Sequence, residues 1–134
     1  MAKRIKTVAV EKSDHRSRWD NARQRIAAME LALAAKLFDP AALLAVQGVI
    51  AANDALTIAL LGERCASERH QDALALFDQS GARGFKEGRS HLSRLLDRNY
   101  RIEYSGRPVR QEDAEQLSEH ARRFLEFVEK NLSF

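Results

Sequence analysis

A long apolar stretch in the middle of the chain, from Ala41 to Leu61, constrains the fold more than any other feature. It is apolar on nearly every helical face, and a helix of that kind is typical of the centre of a bundle. Polar residues interrupt it at Gln47, Asn53 and Asp54, so we interpret it as a buried helix and not as a membrane span. The stretch therefore predicts an all-α fold with this helix, the second in the chain, at its centre.

A first helix is predicted before that stretch. It begins near Ser13 or Asp14, both good N-caps, and carries an apolar stripe at spacings of three and four. The stripe consists of Trp19, Ala22, Ile26, Met29, Leu33 and Leu37. Asp39 and Pro40 separate helix one from helix two, because Asp caps a helix and Pro favours its first position.

Three more helices are predicted after Gly62, with residues 63–66 as a short connection. One opens near Ser67, one follows the Gly-containing break at residues 80–84, and a strongly amphipathic one closes the chain. Glu112 and Asp113 suit the start of the last helix, where the helix dipole favours acidic groups. Short connections between such helices predict a four- to five-helix antiparallel up-and-down bundle.

The composition fits one ordered domain. At 134 residues, with 45% hydrophobic and 31% charged residues, the chain can bury one core and lies outside the low-complexity and collagen classes. We assign residues 14–134 to a single helical domain and residues 1–13 to a basic arm, expected to be a solvated tail. The N-terminus lacks the apolar centre of a signal peptide, so we expect a cytoplasmic location.

Cysteine usage and charge limit the possible chemistry. The single cysteine, Cys65, excludes an intramolecular disulfide framework, and pairing it with His70 gives no zinc-ligand spacing. We therefore predict no metal and no other cofactor, and nothing in the sequence marks the Cys65 thiol as a nucleophile. The formal net charge of +3 permits an anionic partner without requiring one.

The predicted fourth helix ends in a dense cluster of polar side chains. Arg98, Asn99 and Arg101 are followed closely by Glu103 and Tyr104, while an apolar face of the same helix is expected to pack on the core. Such a concentration of guanidinium, amide and phenol groups at one helix end predicts either a binding site or a polar seam between packed surfaces.

Asp54, in the middle of the apolar helix two, is a second candidate for the same site. A carboxylate in such a helix is costly unless it is paired, so we predict that Arg98 or Arg101 donates to it. The alternative, left open by the sequence, is that Asp54 lies at the edge of a groove and is wetted by solvent.

Three pieces of the second half resemble the HEPN family of small helical bundles, in particular its compact bacterial single-domain members. They are residues 70–77 at the start of helix three, residues 95–104 around Arg98, and residues 112–125 in the acidic, Ala-rich closing helix. The resemblance implies a four- or five-helix bundle, commonly a homodimer in which two copies of the arginine-bearing helix face each other. It also implies kinship with metal-independent ribonucleases.

The ribonuclease signature of that family is an arginine, usually followed by a polar residue, with a histidine four to six residues beyond the arginine. Arg98-Asn99 matches the front half, but the residues that follow, Glu103, Tyr104 and Ser105, include no histidine. Imidazole titrates near neutral pH and can pass the proton of a 2′-hydroxyl, whereas a phenol, with a reference pKa of about 10, is a poor base. We therefore predict binding without efficient cleavage.

Two functions remain open from the sequence. In the first, the domain binds RNA or a nucleotide through an arginine-centred site, with weak or absent ribonuclease activity carried by Arg98 and Tyr104. The residues assigned to this site are Arg98, Tyr104, Asp54, Asn99, Arg101 and Glu103. In the second, the domain is a non-enzymatic interaction protein, such as the dimeric partner of a nucleotidyltransferase or a toxin–antitoxin component, and the same residues form a dimer seam.

Overall fold

The fold is an all-α bundle of five helices with one small two-stranded sheet, as described by a computed structural model for residues 5–67, 69–104 and 107–132. The side chains of residue 70 and of residues 98–104 lie outside that description. The helices are α1 (His15–Ala34), α2 (Phe38–Leu61), α3 (His70–Gln79), α4 (Phe85–Tyr104) and α5 (Gln111–Asn131). The strands are β1 (Thr7–Ala9) and β2 (Glu63–Cys65).

Helix α2 is the centre of the bundle, as its apolar sequence predicts. It packs against all four other helices, and Ile58 in its last turns is fully buried while Ile50 is partly buried at the edge of the core. By length and composition α2 could cross a membrane, but 56% of its most apolar window is buried inside the bundle. Burial against other helices is the property expected of a core helix.

The ends of α2 are set by local chemistry. Gly62 follows the helix at φ 70°, a left-handed conformation that glycine adopts without strain, and its N–H donates to the Ile58 carbonyl at 2.9 Å. At the other end, Asp39 lies in the first turn instead of capping it. Its carboxylate accepts a hydrogen bond from the Val109 N–H at 2.6 Å, which ties the start of α2 to the segment before α5.

The prediction that Leu37 belongs to the buried stripe of the first helix is wrong. Helix α1 ends at Ala34, and Lys36 adopts φ 60°, so the chain turns before it reaches Leu37. The Leu37 side chain is 54% exposed in consequence. The periodic spacing continued past the helix end by coincidence, because a spacing pattern carries no information about backbone conformation beyond the last turn.

The expectation of a solvated N-terminal tail is wrong for residues 7–10. Strand β1 pairs antiparallel with β2, with Val8 opposite Arg64, and the Val10 N–H donates to the Gly62 carbonyl at 2.8 Å. The predicted connection at residues 63–66 is therefore mostly strand. Strands of three residues are too short to show the alternation of apolar and polar residues by which a strand is recognised in a sequence.

Aromatic rings fill the space between α3, α4 and α5. The ring of Phe77, fully buried on α3, has its centroid 5.5 Å from that of Phe85, 6.1 Å from that of Phe124 and 5.8 Å from that of Phe127. These contacts lie in the favourable range for aromatic pairs. They attach α4 and α5 to each other, and this pair of helices carries the candidate site.

Gly88 allows α4 to approach Phe127 closely, so Gly88→Ala should destabilise the fold. An added Cβ would lie 2.5–2.7 Å from three atoms of the Phe127 ring, which is confined by Phe77 and Phe124. Overpacking of this kind costs about 1–3 kcal/mol, measurable by urea unfolding. Gly48→Ala is the control: its Cβ would be 2.5 Å from the terminal Cδ1 of Ile26, which can rotate away, so little loss is expected. Equal stability of both variants would contradict the close α4–α5 packing.

Candidate functional site

Helix α4 carries five of the six residues assigned to the site from the sequence. Its backbone is helical without a break from Phe85 to Tyr104, so positions 98, 99, 101, 103 and 104 lie on its last two turns. The side chains at these positions are outside the described part of the structure. The structure therefore places the predicted site on one continuous helix, and the predicted contacts between its members stay predictions.

The part of α4 just before position 98 is described in full, and it is polar on its outer side. Arg94 and Asp97 are exposed, whereas Leu92, Leu95 and Leu96 are buried in the core. Arg94 precedes Arg98 by four residues, about 6 Å along the helix axis, and positions four apart share one helical face. Arg94 therefore places an arginine on this helical face one turn before the cluster identified from the sequence.

A pair of histidines joins α4 to α5. The Nδ1 atoms of His91 and His120 lie 2.9 Å apart, and the ring centroids are 5.1 Å apart. At that distance one Nδ1 must donate a proton while the other accepts it. Both side chains are half-buried, and the hydrogen bond that they share fixes the two rings relative to each other.

The surroundings of this pair disfavour the charged form of both imidazoles. Burial is the largest cause that lowers the pKa of His91, and burial followed by the charge of His91 lowers the pKa of His120. Arg94 and Arg123 lower both pKa values further, while Glu119 opposes them. Both rings are therefore held in the neutral form near pH 7.

The arginines of α5 are bound to carboxylates. Arg122 contacts Glu30 on α1 at 2.6 Å and Glu119 at 3.1 Å, and Arg123 contacts Glu119 at 2.9 Å. The hydrogen bonds from Arg122 and Arg123 lower the pKa of Glu119. Exposed ion pairs of this kind add little stability, but they engage these two guanidinium groups with protein carboxylates.

A small open cavity of about 110 Å³ lies beside His120, between α4 and α5. In the described part of the chain, its lining combines one cation, two carboxylates, an amide, an imidazole and an apolar side chain. These are Arg94, Asp97, Asp113, Gln116, His120 and Leu117. The cavity begins one turn before position 98, so it adjoins the predicted site.

Asp54, the sixth residue assigned to the site, lies on α2 and is not among the described residues that line the cavity. Burial raises its pKa to about 6, and the charges of Arg18 and Arg64 partly oppose the rise. The predicted donors, Arg98 and Arg101, fall outside the described side chains. Arg18 on α1 and Arg64 on β2 are the described cations that stabilise the Asp54 carboxylate.

The neighbours of Asp54 form a polar patch inside the core. Asn53, 3% exposed, donates from Nδ2 to the Ala73 carbonyl at 3.4 Å, and its Oδ1 has no partner among the described residues. Thr57 donates to the backbone carbonyl of Asp54 at 3.3 Å. A buried oxygen of this kind needs a donor to offset the cost of its burial.

The comparison with known protein families decides the classification. A family model described as HEPN domain matches residues 15–131, which is most of the chain. The chain belongs to the HEPN family. The resemblance inferred from residues 70–77, 95–104 and 112–125 is confirmed, and no curated protein matches the chain.

Membership places this HEPN chain among helical domains that are often tied to RNA binding or nuclease activity. The histidine of the family signature is absent after Arg98, and the described histidines do not replace it. His91 is seven residues before position 98, about 10 Å along the helix axis, and its Nδ1 is engaged by His120.

Cys65 does not add a reactive group. Burial raises the pKa of its thiol, and Asp54 and Asp72 raise it further, which disfavours the thiolate needed of a nucleophile. Among the described residues no group of three or more His, Cys, Asp or Glu side chains could hold a metal ion. This absence does not extend to the side chain of His70, which lies outside the described part of the structure.

The sequence did not reveal the His91–His120 pair or the cavity beside it. The two histidines are 29 residues apart, and no spacing motif links them. A signal did exist, since both lie on the predicted fourth and fifth helices, which should pack antiparallel. The register between those helices depends on the connecting turn, and sequence alone does not set it.

Proposed function

We propose that this HEPN domain binds RNA or a nucleotide through the arginine-bearing C-terminal half of α4, with little or no ribonuclease activity. Family membership supports a nucleic-acid role. The observation that carries the proposal is the unbroken helix through Tyr104, with Arg94 exposed on it and an open cavity alongside. Positions 94, 98 and 101 follow one another at helical-turn spacing.

The chemistry of the arginines suits a phosphate ligand. A guanidinium presents a rigid fork of N–H donors that can bind two phosphate oxygens at once. Arg94 is exposed, whereas the guanidinium groups of Arg122 and Arg123 are already bound to carboxylates. Helix α4 is therefore better supplied than α5 with cations for a ligand.

The proposal of weak cleavage follows from the positions of the histidines. A general base must lie within hydrogen-bond reach of the proton that it removes. His91 lies about two helical turns before position 98, and its Nδ1 is bonded to that of His120, which lines the adjoining cavity. Neither histidine follows Arg98 by the four to six residues of the family signature, so we expect the arginines to hold a phosphate without efficient proton transfer.

The test is a titration of the protein with short single-stranded RNA and with ATP. Arg98→Ala should weaken binding about tenfold, because a hydrogen bond to a charged group is lost. Arg98→Lys should be nearly as harmful, since an ammonium cannot form the bidentate contact. Arg89→Ala is the matched control on the same helix, where Arg89 pairs with Asp78 at 2.9 Å. It should leave binding unchanged.

The same titration can refute the proposal. If wild type binds neither ligand at tens of micromolar, the nucleic-acid function is wrong and Arg98 has a structural role. In that case Arg98→Ala should lower the melting temperature instead. Incubation of labelled RNA with wild type should give retention without fragments, and rapid cleavage would contradict the proposed lack of nuclease activity.

A further inference from the structure

We propose that the cavity between α4 and α5 binds a nucleobase of single-stranded RNA and selects guanine over adenine. The proposal rests on the proposed function, because it assumes that a phosphate is held near position 98. It concerns the base of the ligand instead of its phosphate, and it shares Arg94 with the proposed function. Asp97, Arg94, Gln116 and His120 supply the polar contacts, and Leu117 supplies an apolar surface.

The mixed charge of the cavity favours a base over a phosphate. Asp97 and Asp113 both line it, and Arg94 is the one cation among the lining residues that the structure describes. Two carboxylates repel a phosphate, whereas a base is uncharged and presents donors and acceptors together. Single-stranded RNA is commonly recognised by hydrogen bonds to the edges of unstacked bases, combined with stacking on flat side chains.

The arrangement of donors and acceptors matches guanine. The Watson–Crick edge of guanine carries two adjacent N–H donors, at N1 and the exocyclic amine, which a carboxylate such as Asp97 can accept together. Its O6 and N7 are acceptors that Arg94 can reach as a donor. Adenine presents an unprotonated N1 on the same edge, which a carboxylate repels.

His120 is suited to contact a base by its ring. Burial and the neighbouring cations lower its pKa, so the imidazole is neutral near pH 7 and can pack on a base without carrying charge. Its hydrogen bond to His91 at 2.9 Å fixes the ring orientation. Leu117 is buried to 4% exposure and forms an apolar floor.

The cavity also lies at a suitable distance from the proposed phosphate contact. Arg94 precedes position 98 by one turn, about 6 Å along the axis, which is within the span of one nucleotide. A phosphate held at position 98 could therefore belong to the same nucleotide whose base enters the cavity, or to its neighbour.

The experiment compares two short RNAs that differ at one central base, guanine or adenine, within otherwise identical uridine sequence. Binding is measured by fluorescence anisotropy at one salt concentration, because phosphate contacts depend strongly on salt. Wild type should bind the guanine RNA about tenfold more tightly. Asp97→Asn should abolish that preference, and since Asp97 is exposed, the variant should fold normally, as circular dichroism can verify.

The two RNAs should respond to Asp97→Asn in opposite directions. Loss of a negative charge should leave the adenine RNA bound equally or slightly more tightly, while the guanine RNA is bound more weakly. Glu126→Gln removes the same charge from an exposed position on α5, about 9 Å beyond His120 along the helix. It should affect both RNAs alike and preserve the preference.

Three results would overturn the proposal. Equal binding of the two RNAs by wild type refutes guanine selection and leaves RNA binding intact. A guanine preference that survives both Asp97→Asn and the double variant Asp97→Asn/Asp113→Asn places recognition outside this cavity. The double variant is needed because Asp113 is a second carboxylate in the lining of the cavity. Failure to bind either RNA refutes the proposed function as well.

Discussion

Phe77→Ala should lower the free energy of unfolding by about 3–5 kcal/mol. Phe77 is fully buried and its ring contacts three other phenylalanine rings. Its loss leaves a cavity among rings anchored on two different helices, which cannot easily collapse. Domains of this size are stable by about 5–15 kcal/mol, so the variant should lose a large fraction of its stability.

Urea unfolding followed by circular dichroism measures this loss. Leu31→Ala is the control, because Leu31 is 74% exposed on α1 and should cost little. If Phe77→Ala and Leu31→Ala unfold at the same urea concentration, the aromatic cluster does not hold α3, α4 and α5 together.

Asp54→Asn should stabilise the protein at neutral pH. Burial raises the pKa of Asp54 from its ordinary value of 3.8 to about 6, so the folded state favours the protonated form. Ionisation therefore costs stability as pH rises from about 4 to about 6, and the cost is complete above that range. At 1.36 kcal/mol per pKa unit, the variant should gain about 3 kcal/mol at pH 7 and almost nothing at pH 4.

The measurement is the difference in unfolding free energy between wild type and Asp54→Asn at each pH. At any one pH, His91 and His120 contribute equally to the stability of the two proteins, so the difference cancels their contribution. Their lowered pKa values change the stability with pH in the direction opposite to that of Asp54. Those histidines cost stability as pH falls below about 6.5, where they gain charge in the unfolded chain. A difference that does not change between pH 4 and pH 7 would show that Asp54 is not buried as described.

Features decided by local chemistry were predicted well. The apolar stretch predicted the central helix α2, and Gly62 predicted where that helix ends. Glu112 and Asp113 predicted where α5 begins. In each case a few neighbouring residues determine the outcome, through burial, backbone conformation or the helix dipole. The family resemblance also rested on short local segments, and the family match confirms it.

Features that depend on packing between distant segments could be predicted only in part. Arg18 and Arg64, from α1 and β2, are the described cations that act on Asp54, and the sequence did not single them out. The predicted donors, Arg98 and Arg101, lie outside the described side chains, so their pairing with Asp54 stays a prediction. The His91–His120 contact was missed because it depends on the register between two helices.

The short β1–β2 ribbon links the N-terminus of the chain to the protonation of a carboxyl group in the core. Val8 pairs with Arg64 in that ribbon, and Arg64 is one of the two described cations whose charge limits the rise in the pKa of Asp54. Without β1, Arg64 would lose the backbone partner that positions it, and Asp54 would keep its proton to higher pH. Three residues near the start of the chain thus influence an acid–base equilibrium inside α2.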